Sequence, residues 1–171
     1  MTPSRESVLD RVKAAHQRAA AAKHLDVDVP GYGGDLVLRL GAVGWDTTNE
    51  VIAKNRAAGT ANTRAGRPTR GDWNAAADMV IRGTRDVMLR VDDALEPISP
   101  DGATGINRDL MVLLGMEQRD TARECLLALF APANDPDMAI LDVSHAFQEW
   151  LAEGDAEATA AAVGESAATP A

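Results

Sequence analysis

A single cysteine, Cys125, leaves no intramolecular partner for a disulfide and rules out a zinc site built on several cysteines. Aromatic residues make up 4% of the chain, so Leu, Val, Ile, Met and Ala must supply most of any core. No apolar run approaches the ~18 residues that a membrane-spanning helix needs. Met1–Glu6 are polar and lead into a charged helix, so no secretory signal is expected. Basic residues stop at Arg123. Residues 1–123 hold 17 Lys and Arg against 17 Asp and Glu, so the whole net charge of −9 lies in residues 124–171. An end of that sign repels nucleic acid and anionic membrane surfaces and favours solubility.

What is present reads as one α+β domain, mostly helical, over residues 1–153, with a flexible basic loop at 54–71 and a disordered, Ala/Glu-rich acidic tail at 154–171. A helix is expected from Thr2-Pro3 to about Lys23, with Val8, Val12, Ala15 and Ala19 on a thin apolar face. Leu25, Val27 and Val29 then alternate with Asp26 and Asp28, and Leu36, Leu38 and Leu40 repeat that period. Pro30, Gly31, Gly33 and Gly34 between them supply a tight loop, and together these residues predict a β-hairpin.

Further along, Thr47 and Glu50 fit a capping box for a short helix that stops at Gly59. Lys54, Arg56, Arg64, Arg67 and Arg70 follow with no acid among them. Asp72 is a candidate cap for a central core helix on which Trp73, Ala77, Val80, Ile81, Thr84, Val87, Met88 and Val91 keep helical spacing. Gly83 costs that helix about 1 kcal/mol against alanine, which predicts a neighbour packed closely on it. Asp92-Asp93 reads as a turn, with a second short hairpin near Val91–Ile98. Asn107 is a cap for Arg108–Leu114, stopped by Gly115, and Asp120 is a cap for the stripe Ala122, Cys125, Leu126, Leu129 and Phe130. Asp135-Pro136 opens the last helix, whose Ile140, Val143, Phe147, Trp150 and Leu151 share a face.

No residue is assigned to catalysis, to a cofactor or to a metal. The Pro30–Gly34 turn lacks the lysine and hydroxyl that a phosphate loop places after its glycines, and Asp35 and a strand follow instead. His16, His24 and His145 form no recognisable metal-binding spacing. Asp135, Asp137 and Asp142 lack the glycine and terminal glutamate of a calcium loop. Cys125, on an apolar stripe with no nearby cation in sequence, reads as a buried hydrophobe. The basic loop has no interleaved aromatics to stack bases, so nucleic-acid binding is not expected.

Several blocks resemble the tail assembly chaperones of long-tailed actinobacterial phages and prophages. They are Leu25-Asp26, Val29-Pro30-Gly31-Tyr32-Gly33-Gly34, Leu36-Val37, Arg39 and Trp45, then Asn74–Ile98, and finally Leu129-Phe130, Asn134-Asp135 and His145 through Trp150-Leu151. The resemblance spans roughly Leu25 to Leu151 and departs from the family in the longer segment from Lys54 to Arg70. It implies a non-enzymatic protein of the host cytoplasm that binds the tape-measure protein, keeps it soluble until the tail tube forms around it, and is absent from the mature virion. Further implied partners are the major tail-tube protein and a longer, frameshifted form of this chain. Trp45, Met138, Leu141 and Trp150 are the candidate contact residues. A head–tail connector, or a small nucleic-acid-binding regulator using the basic loop, are the alternative readings.

Overall fold

The computed structural model describes residues 23–59 and 70–167, with side chains described except at 45, 52, 55–59 and 155–167. The expected N-terminal helix, most of the basic loop and the last four residues lie outside it. The elements run β1 (His24–Asp28), β2 (Leu36–Gly41), α1 (Trp45–Gly59), α2 (Arg70–Gly83), β3 (Thr84–Val91), β4 (Ala94–Pro97), α3 (Arg108–Leu113), α4 (Ala122–Phe130) and α5 (Pro136–Ala167). Five helices and one four-stranded antiparallel sheet, ordered β1-β2-β3-β4, make the α+β class expected from the sequence.

Each face of the sheet follows from its alternation. Leu36, Leu38 and Leu40 of β2 and Val87 of β3 point to one side, where they are 0–2% exposed. There they join Val51 of α1, Ala77 and Val80 of α2, Leu110 and Met111 of α3, Leu126 and Phe130 of α4, and Ile140 and Phe147 of α5 in one core. Across the other face the register sets Asp26, Arg39 and Asp86 in one row and Asp28, Val37, Met88 and Pro97 in the next. Val37 and Met88 are buried there too, at 0% and 2%. On the same face the Arg39 and Arg90 guanidinium groups engage Asp26 and Asp28.

One part of the sequence reading is corrected here. The helical spacing from Trp73 to Val91 does not describe one helix. Gly83 ends α2, and Thr84–Val91 is a strand whose pairing with β2 fuses the two expected hairpins into a single sheet. Val87 and Met88 are buried on opposite faces of β3, so the strand shows no clean period of two, and its residues also fit a helical stripe. The Asp92-Asp93 turn stands as read: both residues have positive φ (48° and 65°), as a two-residue hairpin loop requires.

Helix starts shift for local reasons. α1 begins at Trp45, with Thr47 and Thr48 inside its first turn, so the expected capping box does not form; Thr48 Oγ1 donates instead to the Gly44 carbonyl at 3.3 Å. α2 begins at Arg70, which puts Asp72 in the first turn rather than at the cap. At α4 the cap is Thr121, not Asp120, because only Thr121 has a glutamate three residues on: Glu124 completes a capping box with it. Asn107 and Gly115 act as expected, the first accepting from the Leu110 N–H at 3.0 Å and the second taking φ 66° beyond the helix end. Finally, α5 continues through Gly154 to Ala167, past the point where the tail was expected to begin. Ala156, Ala158 and Ala160–Ala162 give that stretch high helix propensity.

The Asp26–Arg39 pair is bidentate, at 2.8 and 2.9 Å, and His24 adds a contact to Asp26 at 3.4 Å. Hydrogen bonding from Arg39 holds the Asp26 carboxyl below its usual range, against an opposing push from partial burial. A depressed native pKa stabilises the fold above the unfolded value of about 3.9, and that contribution is lost as pH falls through the native value. Asp26→Asn should therefore cost up to about 1 kcal/mol at pH 7, as expected of a partly exposed pair. In urea titrations at stepped pH the gap to wild type should narrow as pH falls below the unfolded value of about 3.9; a gap constant with pH would show that the ion pair is not its source.

Candidate functional site

Two segments about a hundred residues apart meet at one end of the core. The chain leaves β1 through Val29, which is 1% exposed and donates its N–H to the Leu36 carbonyl at 2.8 Å. Between them Gly31, Gly33 and Gly34 take φ of 92°, 66° and 94°. Gly31 lies directly against the connection between α4 and α5: a Cβ built there would stand 2.6 Å from Pro132 Cβ and 2.8 Å from the Pro132 carbonyl oxygen. Tyr32 folds its ring partly into the core. Its hydroxyl is buried without a hydrogen-bond partner, and desolvation pushes the phenol pKa up.

The other side of the contact is equally local in origin. Phe130, 0% exposed, anchors the end of α4, and Ala133 N–H donates to its carbonyl at 2.9 Å. Asp135 then caps α5 by accepting from the Met138 N–H at 3.1 Å, with Pro136 at the first helical position. Met138, six residues beyond Pro132, stays 41% exposed. This end therefore presents a glycine-rich turn, a proline and a flexible thioether side chain. Asp35, Asn134, Asp135 and Asp137 are exposed on the same two segments, so the apolar groups there are bordered by carboxylates and an amide.

The four candidate contact residues do not form one surface. Met138 is exposed, whereas Leu141 is 5% exposed and belongs to the core. Trp150 is half-buried and stacks on Phe147 with ring centroids 5.9 Å apart and planes 17° from parallel. Trp45 supplies the first residue of α1, and its side chain lies outside those described. Leu141 turns inward because α5 packs against both α2 and α4, which widens its buried arc beyond a single stripe. Val112 and Leu113, at 53% and 49%, are exposed apolar residues that the sequence reading did not single out.

The titratable candidates take structural places. Cys125 is 1% exposed, and burial pushes its thiol pKa up. His145 is exposed on α5, and His16 lies outside the described residues. Among the described residues no three His, Cys, Asp or Glu side chains come together in a way that could hold a metal ion. No described helix is long and apolar enough to cross a membrane. Comparison with protein-family models, with curated proteins and with solved structures returns no match.

Proposed function

We propose that this protein is a tail assembly chaperone that binds a tape-measure protein and keeps it soluble while the tail tube assembles. One observation carries the reading. The Pro30–Gly34 turn and the Phe130–Asp135 segment, which both bear the sequence resemblance to such chaperones, are seated against each other through Gly31 and Pro132. Met138, six residues beyond Pro132 in the chain, holds its side chain in solvent. A long helical client has apolar stripes that need cover before assembly, and an exposed methionine bordered by polar residues can receive part of one such stripe. The acidic stretch 124–171 would keep the complex dispersed by charge repulsion.

The surface is tested by Met138→Glu. The residue is exposed, so the fold should keep its stability within about 0.5 kcal/mol. Retention of a tape-measure fragment in a pull-down should nonetheless fall about ten-fold or more, because a carboxylate would have to be desolvated in the contact. Undiminished retention would remove this end of the molecule as the client surface.

A further inference from the structure

We propose that residues 1–22 fold as a helix across the outer face of the sheet, where they cover Val37 and Met88. Among the described residues, these two are the only buried apolar side chains that stand apart from the core. They are register partners in the middle strands β2 and β3, on the face opposite Leu36, Leu38 and Leu40. Side chains stand roughly perpendicular to a sheet, so on an open face even a flanked valine keeps its outer atoms in water. Val37 is nevertheless 0% exposed and Met88 2%. All five described helices contribute to the core on the other face. The connection between β4 and α3 meets the outer face at Asp86, whose Oδ1 accepts the Thr104 N–H at 2.9 Å. Asp86 lies in the row next to that of Val37 and Met88.

Both side chains are buried within a single chain, so their cover belongs to that chain. Outside the described residues are 1–22, 60–69 and 168–171. Residues 60–69 join α1 to α2 on the core side, and 168–171 follow the far end of α5. Residues 1–22 instead lead directly into β1, whose His24 meets Asp26 on the outer face. As a helix, Thr2–Ala22 would be about 30 Å long, whereas four strands span only about 14 Å. Val8, Val12, Ala15 and Ala19 make one narrow stripe at helical spacing. A narrow stripe suits a patch of two side chains, and its alanines let a helix lie close to the sheet. Charge agrees with this placement. On a helical projection Arg5 borders one side of the stripe and Arg11 and Arg18 the other, while Glu6 and Asp10 fall opposite. The rows around Val37 and Met88 carry Asp26, Asp28 and Asp86 beside Arg39 and Arg90. The sheet would then be the middle of three layers, with both faces covered.

Methionine oxidation in the purified full chain tests this without any client, so its failure leaves the chaperone reading untouched. Sulfoxide formation by dilute hydrogen peroxide follows exposure and is read residue by residue in the mass spectrometer. In the wild type Met88 should react as slowly as the core residues Met79 and Met111. Met138, 41% exposed, should react about ten-fold faster or more. Val8→Asp with Val12→Asp should speed the reaction of Met88 about ten-fold while Met79 and Met111 stay protected. If those two also become reactive, the milder Val8→Ala with Val12→Ala decides: a gain at Met88 alone supports the cover, and no gain overturns it. Wild-type Met88 as reactive as Met138 would overturn the proposal, as would protection that neither variant loosens. Protection that fades on dilution would assign the cover to a second copy and overturn it too.

Discussion

Phe147→Ala should lower the unfolding free energy by about 3–5 kcal/mol, enough to shift the thermal midpoint by roughly 10 °C. Phe147 is 0% exposed, its ring stacks on Trp150, and it lies over the bare backbone of Gly83 where α2 gives way to β3. A Cβ at Gly83 would overlap that ring. Gly83→Ala in the wild type should therefore be destabilising, by about 1–3 kcal/mol from overpacking, although alanine is the better helix former. With Phe147 already truncated the same change should become neutral or stabilising, by up to about 1 kcal/mol, because the ring that opposed it is gone. A sign reversal in this double-mutant cycle, read from urea midpoints, would fix the Gly83–Phe147 contact as the joint between α2 and α5. Additive effects would separate the two residues.

Gly31→Ala should cost about 2–4 kcal/mol. Two terms act together. At φ 92° an alanine pays the steric penalty of left-handed backbone, about 1–2 kcal/mol. Its Cβ would also meet Pro132 at 2.6–2.8 Å, through backbone as well as side-chain atoms, so no rotamer change relieves the overlap. Gly33→Ala is the control. That residue also has positive φ, at 66°, but an added Cβ meets nothing within 4 Å, so only the conformational penalty of about 1–2 kcal/mol applies. The difference between the two variants in denaturant titration measures how firmly the turn is seated on the α4–α5 connection. Equal losses would mean that the seating contributes nothing.

The features legible from sequence are those whose cause is local. The β1–β2 hairpin follows from alternation around a glycine-rich turn, the Asn107 cap and Gly115 stop from side-chain and backbone chemistry, and the α5 start from Asp135-Pro136. Gly83 was informative because a glycine within a helix costs about 1 kcal/mol against alanine, which points to a neighbour packed closely on it. The strand identity of Thr84–Val91 was hidden because it depends on β2, more than forty residues earlier, which it pairs along one edge. The burial of Leu141 was hidden for a similar reason. Periodicity marks one face of a helix but not how many neighbours will cover it, and α5 has two among the helices. The seating of Gly31 on Pro132 joins residues a hundred positions apart, so neither segment alone announces it.

The most direct measurement is co-expression of this chain with the tape-measure protein, expected as a very long helical open reading frame just downstream. Its readouts are a pull-down and the soluble fraction of the long chain. A stable complex, with the long protein soluble only in the presence of this one, is the expected result. Two intact chains with no complex and no gain in solubility would contradict the account. In that case, detection of this chain in purified particles would assign it to the virion structure instead.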